Sequence, residues 1–443
     1  MNSIFLILIL LIVFVFGSLV LKKSNTFEGN NKNGIVIILF SGLIIEFLIA
    51  FLIPGYPEDL EIIASWAKRL YTYGPSKFYS DNVSMPYPPL YLYILYIIQL
   101  IKEGVPQNTL IQTYLLYKTV PIIFDILTSF LIYKAAEKKL DENKALILTF
   151  LYILNPAIFI DSCIWGQTDS VFTFFIVLMC ICIMEHKIIP AGISLGAALL
   201  MKQQALVFIP VFICGLLFEL ERNKKDLKFI GKTVIAGAVT AVMMLLLCIP
   251  FGIKTMLEQY LNTLDNYGAV SLNAFNIWSL LRLDDESLFS TIICGLTYQN
   301  IGTIIFIAIT IFIVLNFFDK RKENELNFVL QAATTIALVF TFSTAMHERY
   351  LFAAVPLVLV SYIYNPQKKL WFLYGGFSFC SCLNISEALA WLTGNADMSY
   401  AIIKLIISGI VTAATFSLSV TYMNQFPIPQ EEEITEADDQ EEI

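Results

Sequence analysis

Long apolar runs separated by short polar segments dominate the chain, and their length indicates the fold class. Many of these runs approach the roughly 20 residues that a helix needs to cross a bilayer, and they do not alternate as membrane β-strands do. Only helices and closed barrels satisfy their backbones in lipid. The pattern predicts an all-α integral membrane protein, a polytopic bundle of about 13 transmembrane helices. The predicted helices are 3–21, 35–53, 112–133, 145–160, 169–185, 188–200, 205–219, 229–250, 299–318, 326–343, 350–364, 369–385 and 399–423.

Basic residues in the short loops predict the orientation of these helices. When the predicted helices alternate across the membrane, the Lys- and Arg-containing loops fall on one side, which the positive-inside rule assigns to the cytoplasm. The N-terminus then lies outside and the C-terminal tail lies inside. The later loops keep this side only if residues 87–102 do not cross, so that segment is predicted to be a re-entrant or interfacial helix. The basic loops are KKSNTFEGNNKNG, YKAAEKKLDENK, EHK, ERNKKDLK, DKRKENE and NPQKK.

Composition agrees with this assignment and separates a tail from the rest. Hydrophobic residues make up 57% of the chain and charged residues only 14%, whereas soluble domains contain about 25% charged residues. We therefore predict one multi-span membrane domain, 1–425, and an acidic disordered cytoplasmic tail, 426–443. The domain contains a first extracytoplasmic loop at 54–111, with an amphipathic helix at 58–72, and a second long outer loop at 251–298.

The sequence lacks the motifs of several large enzyme classes. It contains no P-loop, dinucleotide-binding glycine motif, HExxH zinc motif or GxSxG motif, and no signature of nucleic-acid binding. No cytoplasmic segment is long enough to form a domain for a nucleotide sugar. The few basic residues of the outer side lie in or near its loops, which suggests an anionic ligand there. They are Lys68, Arg69, Lys77, Lys102, Lys118, Lys202, Lys254, Arg282 and Arg349.

Acidic residues open the amphipathic segment of the first outer loop. Pro57 suits the first turn of a helix, and Glu58 and Asp59 suit its positive end. Asp59, Ile62, Ile63 and Trp66 share one helix face. These acids are first-turn residues that stabilise the helix, or one of them is a general base at the membrane surface.

Two further segments carry polar residues where the predicted helices meet the outer side. The short loop DSCIWGQTDS presents Asp161, Gln167 and Asp169, which favours either a hydroxyl-rich ligand such as a sugar or a simple solvated turn. Lys202 and Gln203 interrupt two apolar half-spans, so Lys202 is either functional or a lysine that reaches the interface.

Two more groups of charges complete the candidates. STAMHERY places His347, Glu348 and Arg349 together, and arginine binds phosphate in a bidentate manner. Lys118 and Asp125 lie two turns apart on one helix, and Asp125 lies well inside the membrane.

Six segments in order resemble a known family over roughly residues 35–365. They are similar to bacterial relatives of the second mannosyltransferase of GPI-anchor assembly and, more distantly, to the lipid-linked glucosyltransferases of N-glycan assembly, all of the GT-C superfamily. The segments are GYPEDLEIIASWAKRLYTYGPSKFY, YPPLYLYIL, NPAIFIDSCIWGQTDSVF, AGISLGAALLMKQQALVFIPV, SLNAFNIWSLL and MHERYLFAAVPL.

This resemblance implies a function and roles for individual residues. It implies an inverting glycosyltransferase of the cell membrane that transfers a hexose from a polyprenyl-phosphate donor to a glycan or lipid acceptor of the cell envelope. Asp59 matches the catalytic base, and no cofactor or metal is implied. The donor phosphate is expected at Lys202, His347, Arg349 and Lys118; sugar or acceptor contacts are expected at Glu58, Trp66, Tyr87, Asp161, Gln167, Asp169 and Gln203.

Two other functions fit parts of the pattern. A transporter or flippase of lipid-linked saccharides would use buried Lys118, Asp125 and Lys202 as a pathway. Transporters usually contain internal repeats and paired broken helices, and we find no repeat in this sequence. A non-enzymatic scaffold would leave the buried charges without a role.

Overall fold

The computed structural model describes residues 34–79, 87–104, 110–262, 268–293, 295–320, 326–396 and 400–424, together with Ile12, Val15 and Leu19. Apart from these three positions, the predicted helix 3–21 lies outside the described residues. The predicted acidic tail 426–443 also lies outside them.

Between residues 34 and 262, all regular elements in the part of the chain that the structure describes are helical. A π-helix, Ile160–Trp165, follows α6, and short 3-10 turns occur at Pro75–Lys77, Gln203–Phe208 and Ile249–Phe251. The helices are α1 Gly34–Leu52, α2 Pro57–Tyr73, α3 Pro89–Glu103, α4 Leu110–Ala136, α5 Glu142–Ile153, α6 Pro156–Phe159, α7 Asp169–Met184, α8 Ile188–Met201, α9 Ile209–Arg222, α10 Leu227–Cys248 and α11 Ile253–Asn262.

The second part adds small strands at the outer loops. β1 pairs in parallel with β4, with Ser271 opposite Met346 and Leu272 opposite His347, while β2 and β3 form an antiparallel pair. The elements are β1 Ser271–Leu272, α12 Ile277–Leu280, β2 Thr291–Ile293, β3 Leu296–Thr297, α13 Tyr298–Lys320, α14 Phe328–Phe342, β4 Met346–His347, α15 Ala354–Tyr364, α16 Lys368–Leu392 and α17 Tyr400–Met423.

The helices are those of a multi-pass membrane protein. Among the described residues, 7 helices are long and apolar enough to cross a membrane, and α7, α8, α14 and α15 are shorter apolar helices. Every predicted helix within the described residues coincides with a helix of the structure, and the all-α polytopic class is confirmed. The number that cross the membrane and the interfacial placement of α2 and α3 stay predictions.

Helix α2 buries a different face from the predicted one. Pro57 lies in its first turn and Gly74 ends it, donating to the Leu70 carbonyl. The buried stripe packs against α3 and consists of Leu60, Ile63, Ala67 and Leu70. Asp59 therefore lies at the edge of the buried stripe, where a carboxylate contacts protein and still reaches solvent.

The core lies around α7, α8, α14 and α15, whereas α1, α10 and α13 expose most of their apolar surface. In the most apolar 18-residue stretches of α1, α10 and α13, only 17%, 11% and 22% of the residues are buried inside the protein. Such apolar exposure is expected for helices that face lipid. The segments between these helices also pack together, because α12 contacts α17 and β1 pairs with β4.

A close contact between α13 and the segment before β4 gives a test of this packing. A Cβ added at Gly302 would lie 2.0 Å from Thr344 Oγ1 and 3.2 Å from the Thr344 backbone nitrogen. We expect Gly302→Ala to lower the free energy of unfolding by about 1–3 kcal/mol, since the crowded atoms must move. The measurement is thermal unfolding of the purified protein in detergent.

Gly237→Ala in α10 is the matched control, because no atom lies within 4 Å of its added Cβ. Replacing this helical glycine is expected to preserve or raise stability, by about 0.5–1 kcal/mol. Equal melting of Gly302→Ala and the wild type would show that α13 does not pack here as described.

Candidate active site

Asp59 is held at the start of α2 by two side chains from a distant segment. Its Oδ2 accepts hydrogen bonds from Trp165 Nε1 at 2.9 Å and from Gln167 Nε2 at 2.6 Å. Among the described residues, no hydrogen bond to Oδ1 is observed. Both donors are uncharged, so Asp59 is oriented without an ion pair.

Gly166 allows its two neighbours to reach the same carboxylate. It ends the π-helix in a left-handed conformation, with φ of 91°, and its N–H donates to the Asp161 carbonyl. A Cβ at this position would lie 3.0 Å from Leu60 Cδ2 and 3.2 Å from Lys118 Cγ. Glycine therefore suits both the conformation and the close approach of α2 to this loop.

Two cations converge on Asp169, the first residue of α7. Lys202 Nζ lies 2.5 Å from Asp169 Oδ1, and Arg349 Nε lies 3.4 Å from Asp169 Oδ2. Arg349 also forms an ion pair with Glu348. Asp169, Lys202 and Glu348 are buried, and charges removed from water need partners of opposite sign. These four residues are called the charge network below.

The charge network and Asp59 belong to one site. The guanidinium of Arg349 lies over the Trp165 ring, 5.9 Å from its centroid, and Trp165 donates to Asp59. Tyr87 lies within electrostatic reach of Asp59, Asp169 and Arg349. Burial raises the pKa of Tyr87, an effect that nearby Arg349 opposes. The phenol therefore stays protonated and can donate a hydrogen bond.

Aromatic rings extend from this point along α2 and α3. The ring centroid of Tyr87 lies 5.9 Å from that of Trp66 and 4.7 Å from that of Tyr91. Trp66 and Tyr87 are half-buried. Rings at the edge of a polar site offer flat apolar surface to a ligand that also forms hydrogen bonds.

A hydrogen bond and a cation–π contact position the segment that carries Arg349. Gln204 Nε2 donates to the Tyr350 carbonyl at 2.9 Å, and the ammonium of Lys202 lies 5.0 Å from the Tyr350 ring centroid. On its other side, β4 pairs with β1. The cations are therefore held by fixed elements rather than by one mobile loop.

The contacts of His347 and Glu348 determine the protonation states of these two side chains. Burial alone would raise the pKa of Glu348, but Arg349 and His347 outweigh it and lower that pKa to about 2. Burial lowers the pKa of His347. Glu348 is therefore an anion at neutral pH, and His347 is a neutral imidazole that can donate one N–H.

The structure brings together most of the predicted site residues. Asp59, Trp66, Tyr87, Gln167, Asp169, Lys202, His347 and Arg349 surround one region. Gln203 follows Lys202 and is half-buried, and Glu58 is exposed. The predicted sugar contact Asp169 instead faces the two cations.

Two predicted residues are buried beside this region. The ammonium of Lys118 donates to the Ile53 carbonyl at 2.6 Å. Asp161 is fully buried beneath the loop, and its carboxylate accepts no hydrogen bond among the described residues. Their roles in ligand binding stay predictions.

Two residues of the site were not predicted. Trp165 was seen in the sequence only as part of a loop, although its indole N–H orients Asp59. Gln204 fixes the segment after Arg349. The Trp-Gly-Gln spacing was the available signal, because a glycine between two donors permits both to reach one acceptor.

The acids of the site do not form a metal centre in the part of the chain described here. No group of three or more His, Cys, Asp or Glu side chains is arranged there to hold a metal ion. Independence from metal stays a prediction.

The buried pair of Lys202 and Asp169 gives a stability test. Lys202→Met should lower the free energy of unfolding by about 3 kcal/mol, because a buried carboxylate loses a partner. The double variant Lys202→Met/Asp169→Asn should lose less than the sum of the single variants, with a coupling of about 1–3 kcal/mol. Thermal unfolding in detergent measures both.

Lys254→Met provides the control, because Lys254 and Glu258 are 3.9 Å apart and their side chains are 90% and 59% exposed. Its melting should match the wild type. Additive losses in the Lys202 and Asp169 variants would contradict the buried pair.

Comparisons with known proteins identify similar membrane proteins. The family model described as GPI transamidase subunit PIG-U matches residues 64–268. GPI mannosyltransferase 1 of Candida albicans is 24% identical over 349 residues, which cover 73% of this chain and 78% of that protein.

The family model covers Trp66, Gln167, Asp169 and Lys202 of the site, and it leaves out Asp59, His347 and Arg349. Both matches support the predicted resemblance at the level of a membrane glycosyltransferase-like family. The bacterial relatives of the second mannosyltransferase and the GT-C superfamily stay predictions.

Proposed function

We propose that the protein is an inverting, mannosyltransferase-like membrane enzyme that transfers a hexose from a polyprenyl-phosphate donor to a glycan or lipid acceptor. One observation carries the proposal: a carboxylate oriented by two neutral donors lies beside two buried cations. Inverting displacement at a sugar phosphate needs a base for the acceptor and positive charge for the leaving phosphate. The distant similarity to a mannosyltransferase supports the same class.

Asp59 is the proposed base. The acceptor hydroxyl oxygen attacks the anomeric carbon and forms the new C–O bond, while the bond from that carbon to the phosphate oxygen breaks. The hydroxyl proton passes to Asp59, and the bonding electrons leave with the lipid phosphate. Trp165 and Gln167 hold Oδ2, so Oδ1 remains available for the acceptor.

Lys202 and Arg349 are proposed to stabilise the leaving phosphate. Each now faces Asp169. A guanidinium has five N–H donors and an ammonium has three, so both cations can keep a carboxylate partner while they bind phosphate oxygens. The Tyr87 hydroxyl is a further proposed donor at the same place, and His347, beside Glu348, is a further proposed phosphate contact. Lys118 is a weaker candidate because its ammonium contacts the Ile53 carbonyl.

The sugar and the acceptor are proposed to occupy the region between α2, α3 and the loop at residues 165–167. Trp66 and Tyr87 provide aromatic surface, and Gln167 provides amide groups. Glu58 is exposed in the same first turn as Asp59. Asp161 and Gln203 are proposed as more peripheral contacts. The reaction is proposed to need no metal or cofactor.

The orientation is part of the proposal. With the basic loops in the cytoplasm, the site lies on the extracytoplasmic face of the cell membrane, where a lipid-linked sugar and a cell-envelope acceptor can meet. The donor, the acceptor and membrane lipid are then the partners, and nucleic acid is not.

A non-catalytic subunit is the second candidate, because the matching family model describes a transamidase subunit. The charge network beside an oriented carboxylate favours catalysis over that alternative. A flippase remains a further alternative. Both are distinguished from a transferase by product formation.

Transfer assays with Asp59→Asn test the proposal. Wild-type membranes should transfer radiolabelled mannose from polyprenyl-phosphate mannose to an endogenous acceptor. The variant should be slower by about 10²–10⁴-fold, since an amide of the same shape cannot accept the proton. Its expression and thermal unfolding should remain close to the wild type.

Glu61→Gln is the matched control, because Glu61 is an exposed carboxylate of the same helix. It should retain activity within about twofold. Full activity of Asp59→Asn would exclude Asp59 as the base. If wild-type membranes transfer neither mannose nor glucose from this carrier, the enzyme proposal fails in favour of the subunit or flippase.

A further inference from the structure

Two buried carboxylates in the membrane-spanning region take no part in the proposed reaction. Glu46 of α1 is 1% exposed and Asp125 of α4 is fully buried. Neither Glu46 oxygen has a hydrogen-bond partner among the described residues, and the polar groups close to the Asp125 carboxylate are the hydroxyls of Tyr152 and Ser162. No ion pair of the described residues includes either group. Isolated carboxylates are strongly disfavoured in such surroundings.

The packing of α1 turns Glu46 toward Asp125. The buried residues of α1 are Gly34, Gly42, Glu46 and Ala50, which form a single stripe. A Cβ at Gly42, one turn before Glu46, would meet the side chains of Ile153 on α5 and Ile126 on α4. Ile126 is the neighbour of Asp125. The two carboxylates lie close enough to interact electrostatically.

Two hydroxyl groups lie beside these carboxylates. Tyr152 of α5 and Ser162 of the π-helix both face Asp125. Both side chains are fully buried. Among the described residues, neither hydroxyl oxygen forms a well-aligned hydrogen bond. Two carboxylates and two hydroxyls from four helical elements thus share one buried place.

The other ionisable groups around this place do not neutralise it. Lys118, on the same helix as Asp125, donates to the Ile53 carbonyl. The Cys163 thiol lies near both acids and donates to the Phe159 carbonyl at 3.1 Å. Asp161 lies within electrostatic reach of Asp125, but Asp169, Arg349 and Lys202 of the charge network affect it more strongly. Because these neighbours supply no positive charge to Glu46 and Asp125, a cation from outside the chain would be needed to neutralise the two carboxylates.

We propose that Glu46 and Asp125 form a membrane-embedded site for one small monovalent cation, a proton or Na⁺, held together with the hydroxyls of Tyr152 and Ser162. Oxygen ligands suit either cation. The site is separate from Asp59 and does not depend on the proposed transfer reaction.

A hydrophobic carbodiimide tests the site directly, since it modifies protonated carboxyl groups in apolar surroundings. The purified full-length protein is treated with dicyclohexylcarbodiimide in Na⁺-free choline buffer between pH 5.5 and 9, and modified residues are located by peptide mass spectrometry. Glu46 or Asp125 should be modified, and the yield should fall as pH rises because the proton is lost.

Glu219 is the matched internal control. It is 1% exposed, but it accepts a contact of 2.6 Å from His186 Nδ1. Modification at Glu46 or Asp125 should exceed that at Glu219 by about tenfold or more near pH 6, because the Glu219 carboxylate is occupied by its contact with His186. The variants Glu46→Gln and Asp125→Asn should each lose the label at the replaced position.

Adding Na⁺ distinguishes the two cations. Protection of Glu46 and Asp125 by millimolar Na⁺, but not by choline, would identify Na⁺ as an occupant. Modification that depends on pH and not on Na⁺ would identify the proton. Modification no greater than that of Glu219 at every pH, with both carboxylates reactive after unfolding in SDS, would overturn the proposal. This readout needs no variant to fold and no transfer activity.

Discussion

The arrangement of this site depends on the hydrogen bonds that Trp165 and Gln167 donate to Asp59. They tie the start of α2 to the loop before α7, two segments that lie 106 residues apart at Asp59 and Trp165. Gly166 makes the tie possible, because a larger residue would meet Leu60 of α2. Neutral donors hold the carboxylate without neutralising it. A general base needs both properties, since it must be fixed in place and must remain able to accept a proton.

The second constraint is the low polarity around the cations. Lys202, Arg349, Asp169 and Glu348 neutralise one another in the absence of a ligand, which allows the bundle to bury them. The same pairing fixes the cations before a substrate arrives, and preorganised charge of this kind stabilises a developing anion at little further cost. Asp169 holds the cations in place, and in the proposed reaction it would compete with the donor phosphate for them.

Hydropathy predicted the fold well, because the length of an apolar run is enough to identify a membrane helix. The sequence also predicted that Asp59 lies in the first turn of α2, since Pro57 suits the start of a helix, whereas its role as base came from the family resemblance and stays a prediction. The buried face of α2 was predicted less accurately: Ile62 is 46% exposed, while Leu60 and Ala67 are buried. Periodicity locates a helix face only to within a residue or so, and the packing against α3 decides the rest. The pairing of Asp169 with Lys202 joins residues 33 positions apart, a contact for which hydropathy carries no signal.

The most direct measurement is a cryo-electron microscopy structure of the full chain in nanodiscs with a non-transferable phosphonate analogue of polyprenyl-phosphate mannose. Our account predicts density for the phosphonate within hydrogen-bond distance of Lys202 and Arg349, with the anomeric carbon facing Asp59. It also predicts that the hydrogen bonds from Trp165 and Gln167 to Asp59 persist. Density for the analogue at another place, or a sugar turned away from Asp59 with both cations bound only to Asp169 and Glu348, would contradict it.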